Sequence, residues 1–152
     1  MDWTIGRERN EGLLTLRHRP DGKIERLAAV ALFDGCSRKD LAAIARRIDF
    51  VQVSPGSILM TEGNPANQVV LVSRGKLQVL RNGVESGLAG RGEMFGEMEA
   101  ISHLPYSETL VAGSDAEVAV LGTRDFLDLL DQIPCLALKI LQRVARRHQQ
   151  VA

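Results

Sequence analysis

The residues best placed to do chemistry in this chain fall in one stretch, residues 88–112, LAGRGEMFGEMEAISHLPYSETLVA. It joins a glycine-rich run to three glutamates, Glu97, Glu99 and Glu108, and to the hydroxyls of Tyr106, Ser107 and Thr109. Glycine-rich runs hold phosphates when their spacing is right. Gly90-Arg91-Gly92-Glu93-Met94-Phe95-Gly96 misses the dinucleotide spacing by one residue and has no strand–helix–strand context. Gly75-Lys76 is followed by Leu77 and lacks the earlier glycine of a P-loop, and no GxSxG is present. His18, His103 and His148 stand singly and read as surface residues. Cys36 and Cys135 have neither CxxC nor Cys/His spacing, so no metal site is expected; both sit among apolar residues and read as free, buried thiols. These patterns do not support catalysis, and the chain is not expected to be an enzyme.

The elements that must position this stretch follow from periodicity. Ile24, Leu27, Ala28 and Ala31 recur at helical spacing before Phe33-Asp34-Gly35 breaks the pattern. Ser37, with Asp40 three residues on, predicts the start of a second helix whose buried stripe is Leu41, Ile44, Ala45 and Ile48. From Asp49 to Leu121 short runs rich in Val, Leu and Ile alternate with turn residues, and Asn82-Gly83 is the sharpest hairpin signal. Beyond Thr123 the period is helical again, first around Phe126, Leu127 and Leu130. A further helix is expected from Pro134, with Leu136, Ile140, Leu141 and Val144 buried. The expected fold is α+β and mainly β: an antiparallel, jelly-roll-like β-roll with helices at both ends. Residues 23–152 form the domain. Residues 1–22, which include the turn signal Pro20-Asp21-Gly22, read as an N-terminal extension, with Leu13–Leu16 as a docking element.

Nineteen basic residues balance nineteen acidic ones. A net charge of zero gives no general attraction for nucleic acid or anionic membrane. The C-terminal cluster Lys139, Arg143, Arg146, Arg147 and His148 reads as the solvated face of a helix. The first residues lack a signal-peptide apolar region, and no stretch reaches the ~18 apolar residues of a membrane span, so a cytoplasmic location is expected.

Residues 88–112 resemble the phosphate-binding cassette of cyclic-nucleotide-binding domains, the module of catabolite activator protein and of protein kinase A regulatory subunits. That cassette runs Phe-Gly-Glu, a short helical turn, then Pro-Arg-Ala/Ser-Ala-Thr. Phe95-Gly96-Glu97, Pro105 and Thr109 fall at the family's spacing without a gap. The resemblance extends over about residues 23–149, through Leu32-Phe33, Ser37, Leu41, Gly56, Glu62-Gly63-Asn64, Gly75, Phe126 and Pro134. It implies a pocket for cyclic AMP or cyclic GMP built from Phe95, Gly96, Glu97, Met98, Tyr106, Ser107 and Thr109. In that pocket the backbone after Gly96 would cradle the phosphate and Glu97 would accept a hydrogen bond from the ribose 2′-hydroxyl.

The sequence departs from the pattern at Glu99, Tyr106 and Glu108. Tyr106 stands where the family has its arginine, and a phenol offers neither positive charge nor a planar fork. A carboxylate about 5 Å from a phosphate costs about 3 kcal/mol at an effective dielectric of about 20. Losing the arginine contributes about 1.5–3 kcal/mol more. Together these are worth some three to four decades of affinity. Arg91 and His103 flank the cassette and offer partial replacement charge or plain loop positions. Two readings stay open. One is a non-catalytic regulatory module with weak or lost nucleotide binding that acts through a protein partner; the other is a working cyclic AMP or cyclic GMP sensor with a non-standard cassette. No helix-turn-helix segment follows the roll within the chain, so DNA binding is not expected. The terminal helix supplies about two heptads, which predicts a monomer or a weak homodimer.

Overall fold

The computed structural model describes residues 20–151. Helix α1 spans Pro20–Ala28, a 3₁₀ turn spans Ala31–Phe33, and α2 spans Arg38–Ala45. Ser37 caps α2 as expected: its side chain accepts from the Asp40 N–H, and the Asp40 carboxylate accepts from the Ser37 N–H. Strands β1 (Asp49–Val53), β2 (Ile58–Met60), β3 (Gln68–Arg74), β4 (Leu77–Arg81), β5 (Val84–Ala89) and β6 (Met94–Phe95) follow. Then come α3 (Glu97–Ser102), β7 (Thr109–Ala112), β8 (Ala116–Gly122), α4 (Thr123–Gln132) and α5 (Pro134–Val151).

All the strand pairings are antiparallel, and they form two four-stranded sheets ordered β1-β8-β3-β6 and β2-β7-β4-β5. Strand β3 shows why the sheets stack as they do. Residues 68–72 are all buried, and alternate side chains serve different cores. Val70 and Val72 join Leu77, Leu110, Val118 and Tyr106 between the sheets. Val69 and Leu71 face the opposite way, against Leu27, Ile44, Phe126, Leu129, Leu136 and Ile140 of the helices. The first sheet is therefore the middle of three layers.

The turn chemistry reads directly from sequence. Asn82 and Gly83 both have positive φ, 53° and 77°, which is the backbone of a two-residue hairpin between β4 and β5. Lys23 is buried, and its Nζ donates to the carbonyls of Ala45 (3.3 Å) and Ile48 (2.8 Å) at the end of α2, so the two N-terminal helices are tied by charge as well as packing.

Several expectations need correction. Pro20-Asp21-Gly22 is the first turn of α1 and not a loop turn, because proline is well suited to the first helical position. The boundary expected at residue 23 thus falls inside a helix, while Leu13–Leu16 lie outside the described residues. Strands β5 and β6 have no apolar run of their own, and only the Asn82-Gly83 turn points to β5: β5 is exposed over five of its six residues, and β6 is two residues long. Leu141 is exposed, not buried; α5 presents it with Leu138 on its outer side while Leu136 and Ile140 enter the core. Cys36 and Cys135 are half-buried. Among the described residues no helix is long and apolar enough to cross a membrane.

The capping box makes a simple prediction. Ser37→Ala should lower the unfolding free energy by about 1 kcal/mol, read from urea titration at unchanged slope.

Candidate functional site

The cassette lies between the sheets and α5. Strand β6 pairs with β3 through Val70–Phe95 and Leu71–Met94, which places Gly96 at the start of β3. Gly96 has φ 89°, and a Cβ there would lie 2.8 Å from the Gln68 carbonyl oxygen and 3.3 Å from the Tyr106 ring. Glycine is required by backbone conformation and by the close approach of β3 together. The chain then opens α3 at Glu97 and turns back at His103, itself in the left-handed region with φ 59°. It returns along Pro105 and Tyr106 into β7.

Tyr106 is not free to meet a ligand. It is buried, and its hydroxyl donates to the Gln68 carbonyl at 2.6 Å and accepts from the Gln68 N–H at 3.0 Å. Its main chain is held too: the N–H donates to the Asn64 carbonyl and the carbonyl accepts from Gly63 N–H. Burial pushes the phenol above its ordinary pKa, so it stays protonated. The residue in the family's arginine position has become a strut between the cassette and β3.

Glu99 takes the next pair of donors. Its carboxylate accepts from the Ser107 N–H at 3.0 Å and from the Ser107 hydroxyl at 2.6 Å. An internal anion therefore sits on two donors of the cassette loop. Thr109 is engaged elsewhere, its hydroxyl accepting from the Glu62 N–H at 2.9 Å. Phe95 is buried and Met98 half-buried.

Glu97 is fully buried and faces α5. Arg147 donates to its Oε1 at 2.6 Å, and Arg143 Nε lies 3.5 Å from the same oxygen. Arg143 also donates to the Met94 carbonyl at 2.8 Å. Arg147 reaches Glu108 at 3.5 Å and lies over the Phe95 ring at 5.9 Å from its centroid. Glu108 is paired in addition with Arg81 at 3.2 Å. The second oxygen of Glu97 has no hydrogen-bond partner. Burial raises the Glu97 carboxyl above its usual range, against the pull of Arg147 and Arg143. Burial on its own would lower the Arg147 pKa, and the Glu97 carboxylate beside it more than reverses that. The contact at 2.6 Å is a charge-assisted pair in a nearly dry setting.

The seven residues named from sequence do converge on one region, yet their polar side chains are taken up by protein partners outside that set: Glu97 by Arg147, Tyr106 by Gln68, Ser107 by Glu99 and Thr109 by Glu62. Arg91 and His103 are exposed. Arg91 lines a groove with Arg26 and Arg74 and supplies no charge to the cassette. The charge comes instead from Arg143 and Arg147, read from sequence as a solvated face; both are about one-quarter exposed. Their spacing of four on one helix was the available signal, because i and i+4 share a face. Among the described residues no group of His, Cys, Asp and Glu could hold a metal ion.

Two outcomes follow. Arg147→Ala should destabilise the fold by about 3 kcal/mol, since it leaves a buried carboxylate short of countercharge. Adding Glu97→Gln should recover much of that loss, which a double-mutant cycle in urea would read. Gly96→Ala should cost at least about 2 kcal/mol, from strain and from the contact with the Gln68 carbonyl.

Comparison with known proteins gives the arrangement its family. The family described as cyclic nucleotide-binding domain matches residues 50–133. A cAMP-dependent protein kinase regulatory subunit of Aspergillus niger is 31% identical over 109 residues, covering 70% of this chain and 26% of its own length. The chain thus spans about a quarter of that relative. The catabolite activator protein of Thermus thermophilus superposes with a TM-score of 0.71 at 26% identity, over 79% of this chain and 59% of the other. The regulatory subunit of a cAMP-independent protein kinase A from Trypanosoma brucei superposes at 0.73 and 19% identity, over 90% of this chain and 47% of the other. A triple variant of that subunit, which loses a glutamate and gains an arginine seven residues later, is described as bound to cAMP in its A site; it superposes at 0.73 and 19% identity, over 86% of this chain and 48% of the other. With its roll, its Phe95-Gly96-Glu97 cassette and a match over more than half its length, this chain belongs to the cyclic nucleotide-binding domain family, a family of regulatory, non-catalytic modules.

Proposed function

We propose that this chain is a regulatory module whose nucleotide site is filled by its own side chains, so that cyclic AMP and cyclic GMP bind weakly and the domain acts through a protein partner. The observation that carries this reading is Glu99 seated on the Ser107 N–H and hydroxyl. A phosphate would have to displace that carboxylate and would then meet Glu97 and Glu108 as well. Tyr106 cannot turn to help without giving up two hydrogen bonds to Gln68. Glu99 and Tyr106 are seven residues apart, the same interval as the glutamate removed and the arginine introduced in the cAMP-bound trypanosome variant.

The alternative, a working sensor, has one observation in its favour. Two guanidinium groups already stand at the cassette, so Arg147 would supply the charge that Tyr106 lacks. The readings part on Arg147→Ala: it abolishes binding if Arg147 holds the ligand, and leaves weak binding unchanged or tighter if Arg147 only fills the site.

Calorimetric titration tests the proposal. Wild type should bind both nucleotides more weakly than about 100 μM. Glu99→Ala with Tyr106→Arg should tighten cyclic AMP at least about tenfold, because the cassette regains a charge-assisted partner and loses a competing anion. Glu99→Ala alone, which keeps the Tyr106 strut, serves as the better-folded control. A low-micromolar dissociation constant for wild type would overturn the proposal.

A further inference from the structure

Cys36 and Cys135 lie 99 positions apart in sequence, yet their sulfurs are 2.8 Å apart. Cys36 sits between the 3₁₀ turn and the cap of α2, and Cys135 is the second residue of α5. Both are half-buried, so an oxidant of small size has access while bulk solvent is restricted. A disulfide bond is about 2.05 Å long, so closing this one requires the sulfurs to approach by less than about 1 Å. We propose that Cys36 and Cys135 are a modification site: a hydroperoxide oxidises them to an intramolecular disulfide that pins the base of α5 to the N-terminal helical layer.

The structure assigns the two thiols different parts. The Cys36 S–H donates to Cys135 Sγ, and the Cys135 S–H in turn donates to the Asp34 carbonyl at 3.9 Å. Burial, with Cys135 beside it, pushes the Cys36 thiol up to about 12, which keeps that proton on Cys36. The Cys135 thiolate attacks one oxygen of the hydroperoxide and the O–O bond breaks. A sulfenic acid forms on Cys135, and the departing oxygen leaves as water or alcohol after taking a proton. Cys36 sulfur then attacks Cys135 Sγ; the S–S bond forms, the S–OH bond breaks, and hydroxide takes the Cys36 proton to leave as water. The two thiols give up two electrons and two protons, and the O–O bond accepts both electrons.

The consequence runs along α5. The same helix carries Arg143 and Arg147, about 13 and 20 Å from Pro134 at 1.5 Å per residue. A covalent tie at its base fixes the point about which the helix would swing its arginines away from Glu97 and Glu108. This last step rests on the reading that α5 fills the cassette; disulfide formation does not.

The test treats the full chain with a small molar excess of hydrogen peroxide, then titrates thiols under denaturing conditions and weighs the intact protein. Both thiols should be lost with a mass decrease of two hydrogens, and a peptide joining Cys36 to Cys135 should appear, reversed by dithiothreitol. The thermal midpoint should rise by roughly 10 °C on oxidation, because the bond closes a long loop. Hydrogen exchange in residues 134–147 should slow at least about threefold. Cys36→Ser should show sulfenic or sulfinic acid on Cys135 and no midpoint rise. Two free thiols after oxidation, or a cross-link between two chains in place of the internal one, would overturn the proposal. A disulfide that forms without slowing exchange in α5 would overturn the coupling to the cassette alone, leaving the modification site and the nucleotide reading to their separate readouts.

Discussion

A fully buried carboxylate sets the terms for much of this molecule. Glu97 stands at the start of α3 with no solvent exposure, and a charge so placed is tolerated only beside a countercharge. The roll itself supplies none: Tyr106, where a cation would be expected, is turned into the protein to hold Gln68. The countercharge therefore arrives from outside the roll, on α5, through Arg147 and Arg143. Packing of Leu136 and Ile140 holds the near half of α5 against the core, and electrostatics hold the far half against the cassette. One helix is thus secured by two forces of different kind. The hydrophobic part is not subject to ionic screening, whereas the ionic part is half-buried and only partly screened.

The cassette region is consistent with that account. Glu99 on Ser107, Glu108 between Arg81 and Arg147, and Tyr106 on Gln68 leave few polar groups at the site seeking partners. The exceptions among the described residues are the second oxygen of Glu97, Arg143 Nε and Gln68 Oε1, which are buried without a hydrogen-bond partner. The number of glutamates in the cassette is matched by arginines brought in from elsewhere, so the site approaches neutrality without a ligand.

Local signals in the sequence were reliable wherever a local rule sets the structure. Ser37 with Asp40, Asn82-Gly83 and Pro134 each mark the element they begin, and the alternation from Asp49 onward is the roll. The cassette could be located because Phe95-Gly96-Glu97, Pro105 and Thr109 resemble the family's pattern at its spacing; that Gly96 has positive φ and Glu97 is buried is what the structure adds. What escaped sequence reading depends on contacts far apart in the chain. Arg147 lies 50 positions from Glu97 and looks, on its own helix, like any solvated basic residue. Tyr106 was legible as a departure, but not as a strut, since nothing nearby in sequence points to Gln68. Strand β6 is held by two residues of pairing to β3, too short to leave a periodicity. Leu141 followed the apolar stripe of α5 and still faces outward, because the roll is only wide enough to cover one side of that helix.

Strand β8 has a consequence for how the chain is made. It lies between β1 and β3 and is the last strand to be synthesised, so β1 has no neighbour in its sheet until Gly122 has been added. Helices α1 and α2 pack on that sheet, and they too must wait with Leu27 and Ile44 uncovered. The second sheet is less delayed, since β4 and β5 form a local hairpin. Assembly on the ribosome should therefore begin at the Asn82-Gly83 turn and spread outward. Helices α1 and α2 and strand β1 are thus among the last of the described elements to find their place, as expected where pairing partners are distant in the chain.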